Sequence, residues 1–311
     1  KNKSPQIAFE HALMRLNKLE DKMGHPLPEM EPLKWHSLNS NSIRTKSNFS
    51  KVNFKEQVEK AKEHITAGDI FQIVLSQRLE TEVTSQPFDL YRSLRMVNPS
   101  PYMAFFDFGD WQLIGSSPEV MVKAEPSSSE DKILASLRPI AGTRPRGNNK
   151  KEDLLLEQDL LADPKEIAEH VMLVDLGRND LGRVCRTGSV DVKELMVIEK
   201  YSHVMHIVSE IEGVLSKEND VLNLLKASFP AGTVSGAPKI KAMQLINKFE
   251  HEPRGPYSGV YGSLDLNGAL NTAITIRSMI VKKTSQTSWL VKVQAGAGIV
   301  ADSDPESEYQ E

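Results

Sequence analysis

Glu166 with Glu169, and Glu308 with Glu311, are pairs of glutamates that stand three residues apart. On a helix, positions i and i+3 share a face, with Cβ atoms roughly 5–6 Å apart. A lone pair of this kind is usually a solvated helix face. Two such faces turned toward each other would instead gather hard carboxylates around a hard, oxygen-seeking cation. Mg²⁺ fits, because one or two carboxylates commonly hold it while a substrate supplies further oxygens.

The elements that must position these residues are legible in outline. Asp163 to Leu176 predicts a helix with Asp163 as N-cap and Pro164 at its first position, and Pro305 starts another that carries Glu308. Helices are also expected over Phe54–Ala67, Asp220–Ser228 and Pro238–Phe249. Strand patterns cover Ile70–Leu79, Tyr102–Phe108, Trp111–Ser117, Lys132–Arg138, Val190–Glu199, Ile207–Val214 and Trp289–Gln294. Asn267-Gly268, between Ser258–Leu266 and Leu270–Val281, is the strongest hairpin signal, and Gly109-Asp110 is a second. Hairpins interleaved with helices, without regular βαβ alternation, predict an α+β fold with mainly antiparallel sheets. Upstream, a modest amphipathic helix with Ala8, Ala12, Leu16, Leu19 and Met23 on one face precedes a stretch rich in Pro, Ser and Asn. Residues 1–53 therefore read as a helix and linker, and 54–311 as the main globular domain.

Composition narrows the class. The formal charge is −4 and the basic residues are dispersed, so no nucleic-acid partner is implied. The single cysteine, Cys185, excludes an internal disulfide framework and suits a reducing compartment. No apolar run approaches the ~20 residues of a membrane span, and a cytoplasmic location is expected. Two glycine motifs look like nucleotide signatures and are rejected. Gly296-Ala-Gly298-Ile-Val-Ala301 continues a strand instead of opening a helix. Gly232-Thr-Val-Ser-Gly-Ala-Pro-Lys239 lacks the Ser or Thr that must follow the lysine. Both remain stretches where backbone N–H groups or a helix N-terminus could meet an anion.

Nine segments in order cease to be generic. They are Gly68-Asp-Ile-Phe-Gln72-Ile-Val, Asn98-Pro-Ser-Pro-Tyr-Met103, Ser116-Ser-Pro-Glu119, Arg138-Pro-Ile-Ala-Gly-Thr-Arg144 and Lys165-Glu-Ile-Ala-Glu-His170. Val174-Asp-Leu-Gly-Arg-Asn-Asp180, Val204-Met-His206, Gly232 to Lys239, and Gln294 through Glu311 follow. The set resembles the chorismate-binding enzymes, and among them the large-subunit branch of the anthranilate synthases, over roughly Phe54 to Glu311. Chorismate is a dicarboxylate. Placing one carboxylate at about 5 Å from a glutamate costs roughly 3 kcal/mol at an effective dielectric of about 20, so the acidic pairs make sense only with a divalent cation between.

The resemblance implies roles position by position. Glu166 and Glu308 look like direct Mg²⁺ ligands, with Glu169 and Glu311 supporting. Arg277 looks like the clamp for the enolpyruvyl carboxylate, shared with Tyr257, Gly296 and Gly298, while Gly142, Thr143 and Thr233 line the pocket. Glu119 resembles the general acid that protonates the departing C4 hydroxyl, which requires a raised pKa. His206 is assigned to the later loss of pyruvate. Gln72 stands where relatives that add water carry a lysine base, and Ala141 where aminodeoxychorismate synthases carry a lysine nucleophile. Both point to ammonia as nucleophile and anthranilate as product. Ammonia would come from a glutamine amidotransferase subunit, and Asn98, Pro101, Tyr102 and Met103, with the Tyr261 region, would form part of a tryptophan feedback site. The branch extends beyond this chain at both ends, so a fragment is expected. The competing readings are a sister enzyme making aminodeoxychorismate or isochorismate, and a non-catalytic binder of chorismate or tryptophan.

Overall fold

The computed structural model describes residues 4–26, 32, 44–127, 132–201 and 203–310. They fall into two units, 1–39 and 40–311. The first holds α1 (Pro5–Gly24). Ser4 caps it by accepting from the Ile7 N–H, Pro5 opens it, and none of its residues is buried. The boundary lies upstream of residue 54. β1 (Lys46–Ser47) already pairs with Leu79 and Glu80, and Phe49 is buried against Phe54, so residues 44–53 belong to the larger unit.

That unit is α+β, built on two sheets whose neighbouring strands are all antiparallel. The first sheet runs β1, β2 (Gln72–Val83), β14 (Trp289–Ile299), β13 (Ser278–Lys283), β4 (Trp111–Ser117), β3 (Tyr102–Asp107), with β10 (Gly236–Ala237) also on β2. The second runs β11 (Val260–Leu264), β12 (Leu270–Ile274), β5 (Val120–Pro126), β6 (Ile133–Leu137), β9 (Val204–Val214), β7 (Ile140–Pro145), with β8 (Asp191–Lys200) also on β9.

Each sheet buries an apolar face under helices. Phe54, Val58 and Ala61 of α2 (Lys51–Thr66) and Ala242, Leu245 and Phe249 of α7 (Lys239–Phe249) pack on Ile73, Leu75, Ala297 and Ile299. Tyr309 of α8 (Pro305–Gln310) joins them. On the second sheet, Val174 and Leu181 of α5 (Pro164–Gly182) and Leu224 of α6 (Val221–Ser228) meet Leu137, Ile211 and Ile274. α3 (Pro87–Val97) covers Ile114 and Phe105, and α4 (Lys150–Ala162) sets Leu160 on Met205 and Ile207. Cys185 is buried and unbonded, its thiol pushed up to about 11 by that burial, in keeping with an inert packing residue.

The expected strand over Leu270–Val281 is two strands in different sheets. Leu270–Ile274 pairs with β5 and Ser278–Lys283 with β4 and β14. Between them the Ile276 N–H closes a three-residue turn on Ile274 O at 2.9 Å, and Arg277 takes a left-handed φ of 49°. The chain also changes sheet between Ser117 and Val120. These two crossovers lie side by side. The Ser116 N–H donates to Arg277 O at 3.1 Å and the Ile274 N–H donates to Glu119 O at 3.1 Å.

Candidate active site

The crossovers bring Glu119 and Arg277 together. Thr233 Oγ1 donates to Glu119 Oε1 at 2.9 Å from the 3-10 turn Gly232–Val234. Burial pushes the Glu119 carboxyl up to about 7, and the Thr233 bond and the Arg277 charge only partly oppose it. Arg277 is exposed and has no ion pair among the described residues, so its guanidinium fork is open to an anionic ligand.

His206 lies on β9 opposite Thr143 of β7, which bulges at Gly142. Its Nδ1 is 3.1 Å from Gly142 O and 3.0 Å from Thr143 Oγ1. A carbonyl only accepts, so Nδ1 carries the proton and Nε2 presents a lone pair in the neutral ring. Burial lowers the His206 pKa, and the Arg277 charge acts the same way. Gly142 has φ +73°, and a Cβ there would stand 3.2 Å from Glu166 Oε2, so β7 and α5 touch where no side chain intervenes.

Glu166 and Glu169 ride on α5, whose start is fixed as expected. Asp163 accepts from the Lys165 and Glu166 N–H groups, and Pro164 opens the helix. The helix runs past Leu176 to Gly182. Burial raises the Glu166 pKa, repulsion from Glu169 adds to the rise, and Arg144 opposes it. Arg144 is a residue that sequence reasoning left without a role. It binds Asp159, Asp163 and Glu166 at 2.7, 2.8 and 3.3 Å and so ties β7 to the head of α5. Nothing in its spacing signals this. Glu169 Oε1 accepts from Gln72 Nε2 at 3.0 Å, while Gln72 Oε1 is buried without a partner. A Cβ on Gly298 would lie 2.7 Å from Gln72 Nε2, and one on Gly296 would lie 2.6 Å from Tyr257 Oη. These glycines sit in β14 paired with β2 and admit the neighbouring Tyr257 and Gln72 side chains, while the pairing of β14 with β13 ends at Val293. Tyr257 is buried, its hydroxyl pushed up to about 12, with Arg254 5.6 Å above the ring. Arg254, also missed from sequence, binds Glu250, Val74 O, Val234 O and the Ser258 hydroxyl.

Glu119, Arg277, Thr233, His206, Thr143, Gly142, Glu166, Glu169, Gln72 and Gly298 thus form one continuous set of neighbours. Among the described residues no group of three or more His, Cys, Asp or Glu stands at metal-holding distance, and Glu311 lies outside those residues. Glu308 is partly buried on α8, where its N–H meets Asp304 O. What fits a hard cation is the Glu166–Glu169 pair, partly buried and mutually repelling. Asn98, Tyr102 and Met103 group elsewhere, at the β3 edge. Asn98 O accepts from Ser116 Oγ, Tyr102 O accepts from Tyr261 Oη at 2.7 Å, and Pro101 lies between them in the chain. A cavity of about 920 Å³ opens beside the set, between α5, the start of α7 and residues 300–302, and reaches it through Gln72 and Glu169. No helix of the described residues is long and apolar enough to cross a membrane.

Comparisons agree with this architecture. The sequence profile of the chorismate binding enzymes matches residues 4–311. The chain is 59% identical over 310 residues to the anthranilate synthase component 1 of Synechocystis sp., covering 98% of this chain and 61% of that protein. It is 47% identical to the Pseudomonas aeruginosa protein of the same name over 308 residues, 99% of this chain and 60% of that one. The chain therefore spans between about half and three fifths of the length of the curated relatives it matches. The crystal structure of anthranilate synthase component I from Streptococcus pneumoniae superposes with a TM-score of 0.84 at 44% identity, over 97% of this chain and 64% of that one. The menaquinone-specific isochorismate synthase of Escherichia coli, at 23% identity and a TM-score of 0.77 over 96% of this chain and 66% of that one, shares the fold alone. On its sequence and its two-sheet architecture, the chain belongs to the chorismate-binding enzyme family.

Proposed function

We propose that the protein converts chorismate and ammonia to anthranilate and pyruvate, the first step of tryptophan biosynthesis, as the large component of a two-component enzyme. The observation that carries this is Glu119, its carboxyl raised to about 7 between the crossovers and beside Arg277, which has no ion pair among the described residues. An acid with a pKa of about 7 is still substantially protonated at neutral pH, so it can give its proton to the C4 hydroxyl as water departs. Arg277 grips a substrate carboxylate in a bidentate fork and fixes the ring over Glu119.

Ammonia adds at C2 and loses its extra proton. Gln72 has no basic nitrogen, and its amide donates to Glu169, so nothing at that position activates water for attack. Ala141 likewise offers no amine. Both favour free ammonia over the sister reactions. His206 Nε2 then removes the C2 proton as the enolpyruvyl oxygen leaves C3, and the ring becomes aromatic. Mg²⁺ would be held by Glu166 and Glu169, with Glu308 and Glu311 on the C-terminal side, and would neutralise the ring carboxylate. Ammonia would arrive from a glutamine amidotransferase partner, and tryptophan would inhibit from the Asn98–Met103 region.

The test is direct. The full-length protein with chorismate, Mg²⁺ and ammonium salt should form fluorescent anthranilate and an equivalent of pyruvate. A hydroxylated or aminodeoxy product would establish a sister enzyme, and binding without turnover would establish a sensor.

A further inference from the structure

The Val174 to Asp180 motif and Lys239, at the end of the Gly232 to Lys239 motif, remain without a task, and the structure joins them. Lys239 Nζ donates to Asp180 Oδ2 at 2.6 Å and to Ser228 O at 3.0 Å, and both charged side chains are buried. Lys239 opens α7 and Ser228 ends α6, so this ammonium closes the base of the loop 229–238 and pins it to α5. The loop carries Thr233, whose hydroxyl binds Glu119. It has little slack elsewhere. A Cβ on Gly232 would lie 2.9 Å from Leu176 Cδ1, Arg254 holds Val234 O at 2.7 Å, and Gly236–Ala237 pairs with β2.

A buried ion pair is weak evidence of added stability, since desolvation offsets much of its attraction and an apolar pair of like volume often serves as well. We infer that Asp180 and Lys239 are positioning residues that clamp the Thr233 loop onto Glu119 and thereby set the protonation of the acid; as a statement about catalysis this rests on the activity proposed above. A small cavity lies under the acid, lined by Glu119, Thr233, Asp180, Ser228 and Arg138. The charged groups around Glu119 are therefore Arg277 from its crossover, Arg138 from the β6–β7 link and Asp180 from α5. Arg138 is paired with Glu199 and Asp180 with Lys239, which leaves Thr233 and Arg277 to tune the carboxyl.

The sign of the effect follows. The Thr233 hydrogen bond favours the Glu119 carboxylate, so releasing the loop moves Glu119 titration to higher pH. The test replaces the pair with apolar groups, Asp180→Leu with Lys239→Met, in the full-length protein. Glu119 titration is read by ¹³C NMR of labelled glutamate side chains, beside Thr233→Val and the triple variant. The expected result is an upward shift in the double variant similar to that of Thr233→Val, with no further shift in the triple variant. In turnover, kcat falls roughly tenfold, KM for chorismate changes little and the alkaline limb moves up. An unmoved Glu119 titration, or shifts that add, overturns the clamp. If the double variant does not fold, Lys239→Gln, which keeps an N–H donor on a shorter arm, is read for the same two outcomes. The NMR titration needs no turnover. A parent protein that makes no anthranilate would refute the activity while leaving the clamp to be judged on its own.

Discussion

At the residue scale, the chemistry turns on one carboxyl whose environment disfavours charge. The ordinary glutamate value is 4.5 and that of Glu119 is about 7. Between those values the unfolded chain has released a proton that the folded one keeps, so Glu119 lowers stability as pH rises through this window and the full penalty remains above it. Glu119→Gln should therefore abolish anthranilate formation, with kcat down by roughly 10²–10⁴ as for loss of a general acid, yet raise the melting temperature at pH 8 more than at pH 4. Thermal unfolding at the two pH values checks the sign. Arg277→Lys keeps the charge and loses the fork, so KM for chorismate should rise by roughly tenfold or more while the fold persists. Equal KM values in the two proteins would remove Arg277 from the substrate. His206 titrates below the ordinary imidazole value of 6.5, so the acidic limb of the pH profile should lie under it.

At the element scale, legibility depended on whether a signal was local. The Asp163-Pro164 start of α5 and the Asn267-Gly268 turn are side-chain and backbone preferences acting within four residues, and both stand where expected. The sheet change inside Leu270–Val281 carries no such mark. Thr275, Ile276 and Arg277 are good strand residues, and only two sheets competing for the same chain turn it at Arg277. The glutamates were readable as pairs, but their partners were not. Gln72 and Arg144 reach them from β2 and β7 across long stretches of sequence. α4 was missed because Leu154, Leu155 and Leu161 are exposed and blur the periodicity, while Leu160 alone is fully buried. Asp163 does two jobs at one junction, capping α5 and binding Arg144. Asp163→Ala should cost about 1 kcal/mol from the cap, measured by urea denaturation. Arg144 would retain Asp159 and Glu166, so a loss confined to the cap's magnitude would show that the half-buried ion pair adds little.

At the scale of the whole molecule, two sheets from distant parts of the chain meet at two crossovers, and α5 lays a pair of like charges beside that junction. The chain is net negative and its proposed substrate is a dianion, so the metal and the substrate must each answer the other's charge. Glu166 and Glu169 repel each other, and an added substrate carboxylate at about 5 Å would cost roughly 3 kcal/mol more at an effective dielectric of about 20. Binding of Mg²⁺ should relieve both at once. Because binding free energies are reciprocal, the factor by which Mg²⁺ tightens chorismate must equal the factor by which chorismate tightens Mg²⁺. Isothermal titration of each ligand with and without the other measures both factors without turnover. In Glu169→Gln one of the repelling charges is gone. Chorismate should then bind better than to the parent protein when metal is absent, and gain less when Mg²⁺ is added. If the substitution leaves the coupling intact and metal-free affinity unchanged, the cation does not sit between Glu169 and the ring, and the carboxylate pair on α5 is an ordinary helix face.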